Sequence, residues 1–442
     1  MYAYITISNV GADAGPFDLY SDVDGFLSAF ETGIPTALLE AGYATNLVPD
    51  GTTIIKIQSV NDKCNNFVNI GTASLEYYFT PNDGSSYVLD FINSGTYGYA
   101  YGYFNGYYNG SSLVPGNHIV KLNSDRTVDT SFNIDEGPEF HTVFLGASIT
   151  ELPDLSIIFG GFYLTYNGVT VNRILKLLPD GSRDPNFNTG TGFNNFVTNV
   201  QVDTSGRFYV LGLFTSYNGS TVPRGIVRLL PDGSLDTTYN SGGGVGFNNT
   251  SIFGIVNPDN SIIISGYFTQ YNGSVISTGI VKLDDTGAIS PDFNGGTGFN
   301  VGNGEPVSIT QINGETSFYA AGYFTQYNGN PYPYIVKLTQ TGDVDPSLNA
   351  VGTGFDNPVF IIKVIWGDKL FCYGSFTSYN GVPALGYIIL NSDGSVYWAP
   401  PEAYYNVYVI GNDLFGMDFS TNLNELRFTF DPLYTTTTTT TI

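Results

Sequence analysis

The chain is 442 residues long and carries 39 acidic against 15 basic residues, a net charge of −24, although only 12% of its residues are charged. A surface of that sign repels polyphosphates and anionic membranes and offers no lysine stripe for counterion release, so neither nucleic acid nor a membrane surface is an expected partner. Aromatic residues at 15% argue against disorder, and the 54 glycines follow no three-residue period, which excludes collagen.

Tyr, Phe, Thr, Val and Ile punctuated by Gly, Asn and Pro are strand and turn materials rather than helix materials. No apolar run reaches the 18 residues that a membrane-spanning helix needs. The first residues, MYAYITISNVGADAG, lack the basic start and continuous apolar core of an export signal. From there YAYITIS, Thr52–Val60 and Phe67–Ile70 read as strands. Pro35–Tyr43 reads as a short helix started by Pro35 and ended by Gly42. Asp22, Asp24 and Gly25 partly match a calcium loop, but Tyr20 stands at the first ligand position, so a solvated turn is expected and structural calcium stays open. Residues 1–73 are thus expected to be a small β-rich attachment module.

A repeat begins after it. GLFTSYNG at Gly212–Gly219 recurs at Gly266–Gly273, Gly322–Gly329 and Gly374–Gly381, with looser copies ending at Gly110 and Gly168. The shared asparagines, from Asn109 through Asn167, Asn218, Asn272 and Asn328 to Asn380, lie 51 to 58 residues apart. Each copy continues into a strand such as IVRL from Ile226, a turn such as PDGS from Pro231, an element D-x-x-F-N, and a closing G-x-G-F-N such as Gly190–Asn194. Several short strands per unit of this length, in six or seven units, predict an all-β fold, a seven-bladed β-propeller with six blades left open. Residues 404–431 and 75–93 each read as half a repeat, so the two are expected to share one closing blade. The propeller is expected over 74–434, followed by a threonine-rich tail at 435–442.

Chemistry is sparse. His118 and His141 are the only histidines, and no HExxH, Cys/His cluster, nucleophile elbow or phosphate loop occurs, so no catalytic residue, metal or cofactor is expected. Cys64 and Cys372, 308 residues apart, read as free thiols. Glu136, Glu139, Glu305 and Glu315 fall outside the repeat pattern and show no pairing of the kind a glycosidase uses. Tyr107, Tyr217, Tyr271, Tyr327 and Tyr379 precede the YNG turns. They are candidates for glycan or protein contact, and packing between blades is the competing reading. Gly110, Gly168, Gly219, Gly273, Gly329 and Gly381 are expected to be structural turn glycines.

The run G-x-F-T-x-Y-N-G, I-V-K/R-L, D-G-S-x-D-x-x-F-N resembles the delta-60 repeat β-propeller family over residues 75–431. The N-terminal ITIS, GPFDLYSD and TTIIKI, with the threonine tail, resemble pieces of virion structural proteins of Bacteroidetes phages, including crAss-like phages. Together these resemblances imply a noncatalytic tail or neck component of a virion, assembled in the host cytoplasm in multiple copies. It would attach to other virion proteins by residues 1–73 and contact protein or a host-surface glycan with its propeller. The alternatives are a bacterial cell-surface propeller adhesin that binds glycans and, third, a polysaccharide-degrading hydrolase.

Overall fold

The computed structural model describes residues 3–5, 16–36, 39, 43–45, 49, 54–60, 67–71, 77–80, 87–93, 97–104, 106–109, 113–115, 118–123, 127–132, 137–140, 148–241, 243–300, 307–348, 353–365, 367–399, 405–410, 413–418 and 425–426. Two compact units emerge. One comprises Met1–Tyr77, Gly110–Ser112 and Asp431–Ile442, the other Tyr78–Asn109 and Leu113–Phe430.

In the first unit four antiparallel strands run in the order Ala29–Ile34, Phe17–Ser21, Ile54–Ser59, Phe67–Gly71. Phe17 and Leu19 alternate with half-buried neighbours and are buried with Ile55 and Ile57, the two-residue period of a sheet with one better-covered face. Asp22–Asp24 forms a single 3-10 turn capped by the Ser21 hydroxyl, and Asp24 accepts the amides of Leu27 and Ser28. Most of the expected helix at 35–43 lies outside the described residues.

The second unit is an all-β propeller assembly of six repeats, each joining an antiparallel sheet of at least three strands to a small hairpin sheet. The third repeat shows the pattern. Phe208–Gly212 is the middle strand, paired on one side with Val197–Val202 and on the other with Ile226–Leu229. A bridge from Leu229 to Leu235 extends the sheet outward. The first strands of successive sheets lie side by side, so the sheets of the second to fifth repeats are covered on both faces by their neighbours. That explains why FYVLG, IIISG and FYAAG are buried at every position instead of alternating. The apolar clusters straddle sheets. Ile158 and Ile174 of the second repeat pack with Val197, Phe208 and Val227 of the third. Each such side chain contributes about 1.5–3 kcal/mol of burial, which is what holds consecutive blades together.

The two glycines that bracket G-x-F-T-x-Y-N-G serve different needs. A Cβ on Gly212, Gly266 or Gly374 would stand 2.1, 2.3 or 2.2 Å from the carbonyl oxygen of Phe196, Thr250 or Pro358, so close backbone approach demands the first glycine. The last one sits in open space but at positive φ, as described below.

Among the described residues the strands of the two ends do not pair with each other. Tyr405–Ile410, Asp413–Asp418 and Glu425–Leu426 pair among themselves, while Tyr87–Asn93 pairs with Tyr97–Tyr103. Tyr405–Ile410 instead lies beside Tyr87–Asn93.

Candidate ligand groove

The YNG turns are two-residue hairpin turns. In the third repeat Ser216–Tyr217 pairs with Ser220–Thr221, and Asn218 and Gly219 carry φ of 48° and 75°. Two consecutive positive φ values are what a type I′ turn requires, and Asn-Gly is the sequence that adopts them most readily. Gly168, Gly273, Gly329 and Gly381 repeat this at φ of 69°, 80°, 76° and 81°, while Gly110 lies outside the described residues.

The closing G-x-G-F-N of one repeat wraps around the hairpin of the next. Phe193 bridges to Tyr217, their rings 4.5 Å apart. Asn194 Oδ1 accepts the amides of Thr215 and Ser216 at 2.9 and 3.0 Å, and its Nδ2 donates to the Thr215 hydroxyl. Asn218 Oδ1 accepts the Thr191 amide at 3.1 Å. Asn248, Asn300 and Asp356 make the same contacts at later boundaries. One residue type at each motif position is thereby explained by one hydrogen bond.

The tyrosines lie inside this weave. Tyr107, Tyr217, Tyr271, Tyr327 and Tyr379 are all buried. The last four donate their hydroxyls to the carbonyls of Gly233, Gly287, Gly342 and Gly394, in the turns that follow the third strands. A ring held in this way offers no open face for a sugar to stack on. Burial pushes the phenol of Tyr217 well above its ordinary range, so it remains a neutral donor.

Polar surface accumulates beside them. Between the second and third repeats opens a groove of about 400 Å³ with Tyr217 and Leu235 in its wall. Its polar lining is Asn186 and Asn188 from one repeat, and Asn218, Ser220, Asp232 and Ser234 from the next. The Asn188 amide donates to the Asp232 carbonyl at 2.8 Å, which sets the two lips against each other. Asp232 Oδ1 accepts the hydroxyl and amide of Ser234, which hold the carboxyl below its usual range and ionised at neutral pH. The groove therefore presents carboxamides, hydroxyls and one carboxylate, with no cation in its lining. The sequence did not single out these six residues. Their signal is the pairing of NTGTGFN with the next repeat's YNGS and PDGS, which becomes meaningful only once consecutive repeats are known to touch.

The other candidates are dispersed. His118 is buried with Nδ1 3.2 Å from the Gly102 carbonyl, and burial drops its pKa to about 4. Cys372 is buried in an apolar cluster that pushes its thiol up, and Glu315 pairs with Lys337 at 2.8 Å. His141, Cys64, Glu136 and Glu305 lie outside the described residues. Among the described residues no group of three or more His, Cys, Asp or Glu side chains is placed to hold a metal, and no helix is long and apolar enough to cross a membrane.

Segments 152–187, 204–239, 257–293 and 313–348 match the family model of a domain of unknown function (DUF5122) beta-propeller. No curated protein matches in sequence. Among solved structures, the extracellular domain of the putative hybrid two component system BT4673 from B. thetaiotaomicron is similar at 10% identity, with a TM-score of 0.41, over 85% of this chain and 48% of that one. PorZ, a surface component of the type-IX secretion system of Porphyromonas gingivalis, is similar at 12% identity and a TM-score of 0.38, over 85% and 52%. The chain thus spans about half the length of these two proteins. A gluconolactonase from Xanthomonas campestris is similar at 15% identity and a TM-score of 0.33, over 62% of this chain and 82% of that one. Likeness at these identities concerns the fold alone.

These findings correct several expectations. The matching model is a propeller domain of unknown function rather than a delta-60 repeat, and no phage protein appears among the structural matches. The assignments to a virion component, a crAss-like phage and a virion location therefore fall, and no virion-specific partner is evidenced. The expectation of a chain without enzymatic activity falls as well, because a propeller fold hosts catalytic and noncatalytic proteins alike. The physical reason is common to all of these. The repeat encodes strands, turns and blade contacts, none of which is specific to a particle or to the absence of chemistry.

Proposed function

We propose that this chain is a surface β-propeller that binds neutral, hydroxyl-rich ligands of the glycan class through the groove between its second and third repeats. The observation that carries this reading is the lining itself. Three carboxamides, two hydroxyls and an ionised carboxylate, without a cation, suit a polyol. An amide both donates to and accepts from hydroxyls, and a carboxylate accepts from two neighbouring ones. The net charge of −24 opposes anionic ligands. Contact in this reading falls to the polar residues flanking Tyr217, with the buried ring as a rigid support. Residues 1–73 serve as the attachment module, 74–434 as the binding propeller and 435–442 as the tail.

The test is a glycan array probed with the full chain, followed by titration of any neutral glycan retained. Asn188→Ala and Asp232→Ala are each expected to weaken binding at least tenfold while leaving the melting curve in place. Retention of only sulfated or uronic glycans, or binding indifferent to both substitutions, would refute the assignment.

A further inference from the structure

We propose that the chain carries a second groove of the same chemistry, between its fourth and fifth repeats, and so binds neutral glycan chains at two sites. This rests on the ligand class proposed for the first groove and adds the valence.

The two boundaries share one loop length. Asn188–Asn194 reads NTGTGFN and Asn294–Asn300 reads NGGTGFN, equal in length and differing at one position. The two segments fold alike. Asn188 Oδ1 accepts the Gly190 amide at 3.0 Å, and Asn294 Oδ1 accepts the Gly296 amide at 3.3 Å. Gly190 and Gly296 have φ of 55° and 53°. The Asn188 amide reaches the Asp232 carbonyl at 2.8 Å, and the Asn294 amide reaches the Thr341 carbonyl at 2.7 Å. Both asparagine side chains are exposed. Equivalent positions then place Asp292, Asn294, Asn328, Asn330, Thr341 and Asp343 where the first groove has Asn186, Asn188, Asn218, Ser220, Asp232 and Ser234. Carboxamide, hydroxyl and carboxylate groups recur.

The intervening boundary shows what closes such a site. Asn240 occupies the position of Asn188 and Asn294, yet it is only half-exposed and its amide is spent internally. Its Nδ2 donates to the Tyr271 hydroxyl at 3.2 Å, and its Oδ1 accepts from Asn272 Nδ2 at 3.3 Å. The segment Asn240–Asn248 is also two residues longer than Asn188–Asn194. With a longer loop the asparagine takes φ of 55° and turns onto the neighbouring hairpin. Open and sealed boundaries therefore alternate with loop length.

The experiment measures stoichiometry. The full chain is titrated with xylohexaose, mannohexaose and laminarihexaose by calorimetry and native mass spectrometry, alongside Ser220→Trp, Asn330→Trp and the double variant. Ser220 and Asn330 are equivalent exposed positions on the hairpin arms, and tryptophan there fills the groove. Two equivalents are expected for the unaltered chain, one for each single variant and none for the double. Asn188→Ala and Asn294→Ala, which remove an exposed amide and one local turn hydrogen bond each, replace the tryptophans should a hairpin be disturbed. One equivalent, abolished by Ser220→Trp and untouched by Asn330→Trp, would overturn the second site and leave the first intact. No binding of any of the three hexasaccharides would overturn both.

Discussion

The boundary between the third and fourth repeats and the boundary between the second and third are built from the same motif and differ in what crosses them. At the former, Arg228, buried to 2% exposure, binds Asp236 of its own repeat at 2.7 Å and also Asp285 of the next. Arg207 reaches the same Asp285 at 2.7 Å, and the Arg228 guanidinium lies 4.8 Å from the centre of the Tyr239 ring. Asn240 adds its clasp on Tyr271 and Asn272. At the latter, Lys176 stands in place of Arg228 and finds Asp184 and Asp154, both within its own repeat. The residue equivalent to Asp285 there is Pro231, so that position supplies no carboxylate across the boundary. The same scaffold can thus spend its polar groups on holding blades together or leave them to a ligand.

Removing the clamp is the strongest way to break this contrast. Burial alone would lower the Arg228 pKa, but the Tyr209 hydroxyl and Asp236 hold it above the ordinary value. Asp236 is in turn kept below the usual carboxylate range: burial opposes this, and Thr238 and Arg228 more than offset it. Arg228→Ala would leave Asp236 buried without its countercharge, a loss of about 3–5 kcal/mol. Urea unfolding is the measurement, and a loss below about 1 kcal/mol would mean that water enters the boundary and does the work of the arginine.

Acid sharpens the same point. For His118, unfolded near 6.5 and folded near 4, stability is complete above pH 6.5 and declines as pH falls toward 4. The Asp236 contribution is present above the ordinary carboxylate range, near pH 4, and is lost only as pH drops through its lowered folded value. A stability profile of the unaltered chain should therefore slope downward from pH 6.5 to 4. His118→Gln should flatten that limb, and the gap between the unaltered chain and Arg228→Ala should narrow as acid protonates Asp236 in the variant. A profile unchanged by His118→Gln would remove the histidine from the account.

Much of this architecture was legible from residue spacing. Period, strand order and the YNG turns follow from local rules that each copy repeats, so a wrong reading of one copy is corrected by the next. What stayed hidden depends on relations between copies. Asn188 and Asn240 are the same residue at the same motif position, and only the loop length behind them turns one outward and the other onto Tyr271. The slot before each I-V-K/R-L strand is another case. Gly225, Gly279 and Gly386 occupy it at φ of 81°, 77° and 93°, and His118, Arg173 and Tyr334 occupy it at 68°, 76° and 68°. His118, one of only two histidines, is distinguished by a left-handed backbone in a buried place. Half-repeats at both ends point to one shared blade, whereas the described strands of each end pair among themselves, a choice of partner that no local motif encodes.

A smaller effect separates geometry from crowding. Gly273 lies at φ of 80° with nothing within 4 Å of a Cβ placed on it. Gly273→Val should therefore cost roughly 1–3 kcal/mol through backbone strain alone. Gly273→Asn, which tolerates that region, should recover most of it. Equal losses for the two substitutions in thermal unfolding would point to contacts rather than dihedral strain.

The smallest effect tests the clasp itself. Replacing Asn240 by Ala would mix two costs, since an alanine at φ of 55° is strained whatever its contacts. Asn240→Gly avoids the strain and removes only the two hydrogen bonds to Tyr271 and Asn272, at 3.2 and 3.3 Å. Tyr271 keeps its bond to the Gly287 carbonyl at 2.9 Å, so no buried donor is orphaned. The expected loss is therefore modest, about 1 kcal/mol. Asn188→Ala at the open boundary, where the amide serves only a local turn, should stay within about 0.5 kcal/mol. Paired urea titrations decide the matter. If Asn188→Ala proved the costlier of the two, the amide at the open boundary would be a structural clasp after all, and the division between sealed and open boundaries would lose its energetic basis.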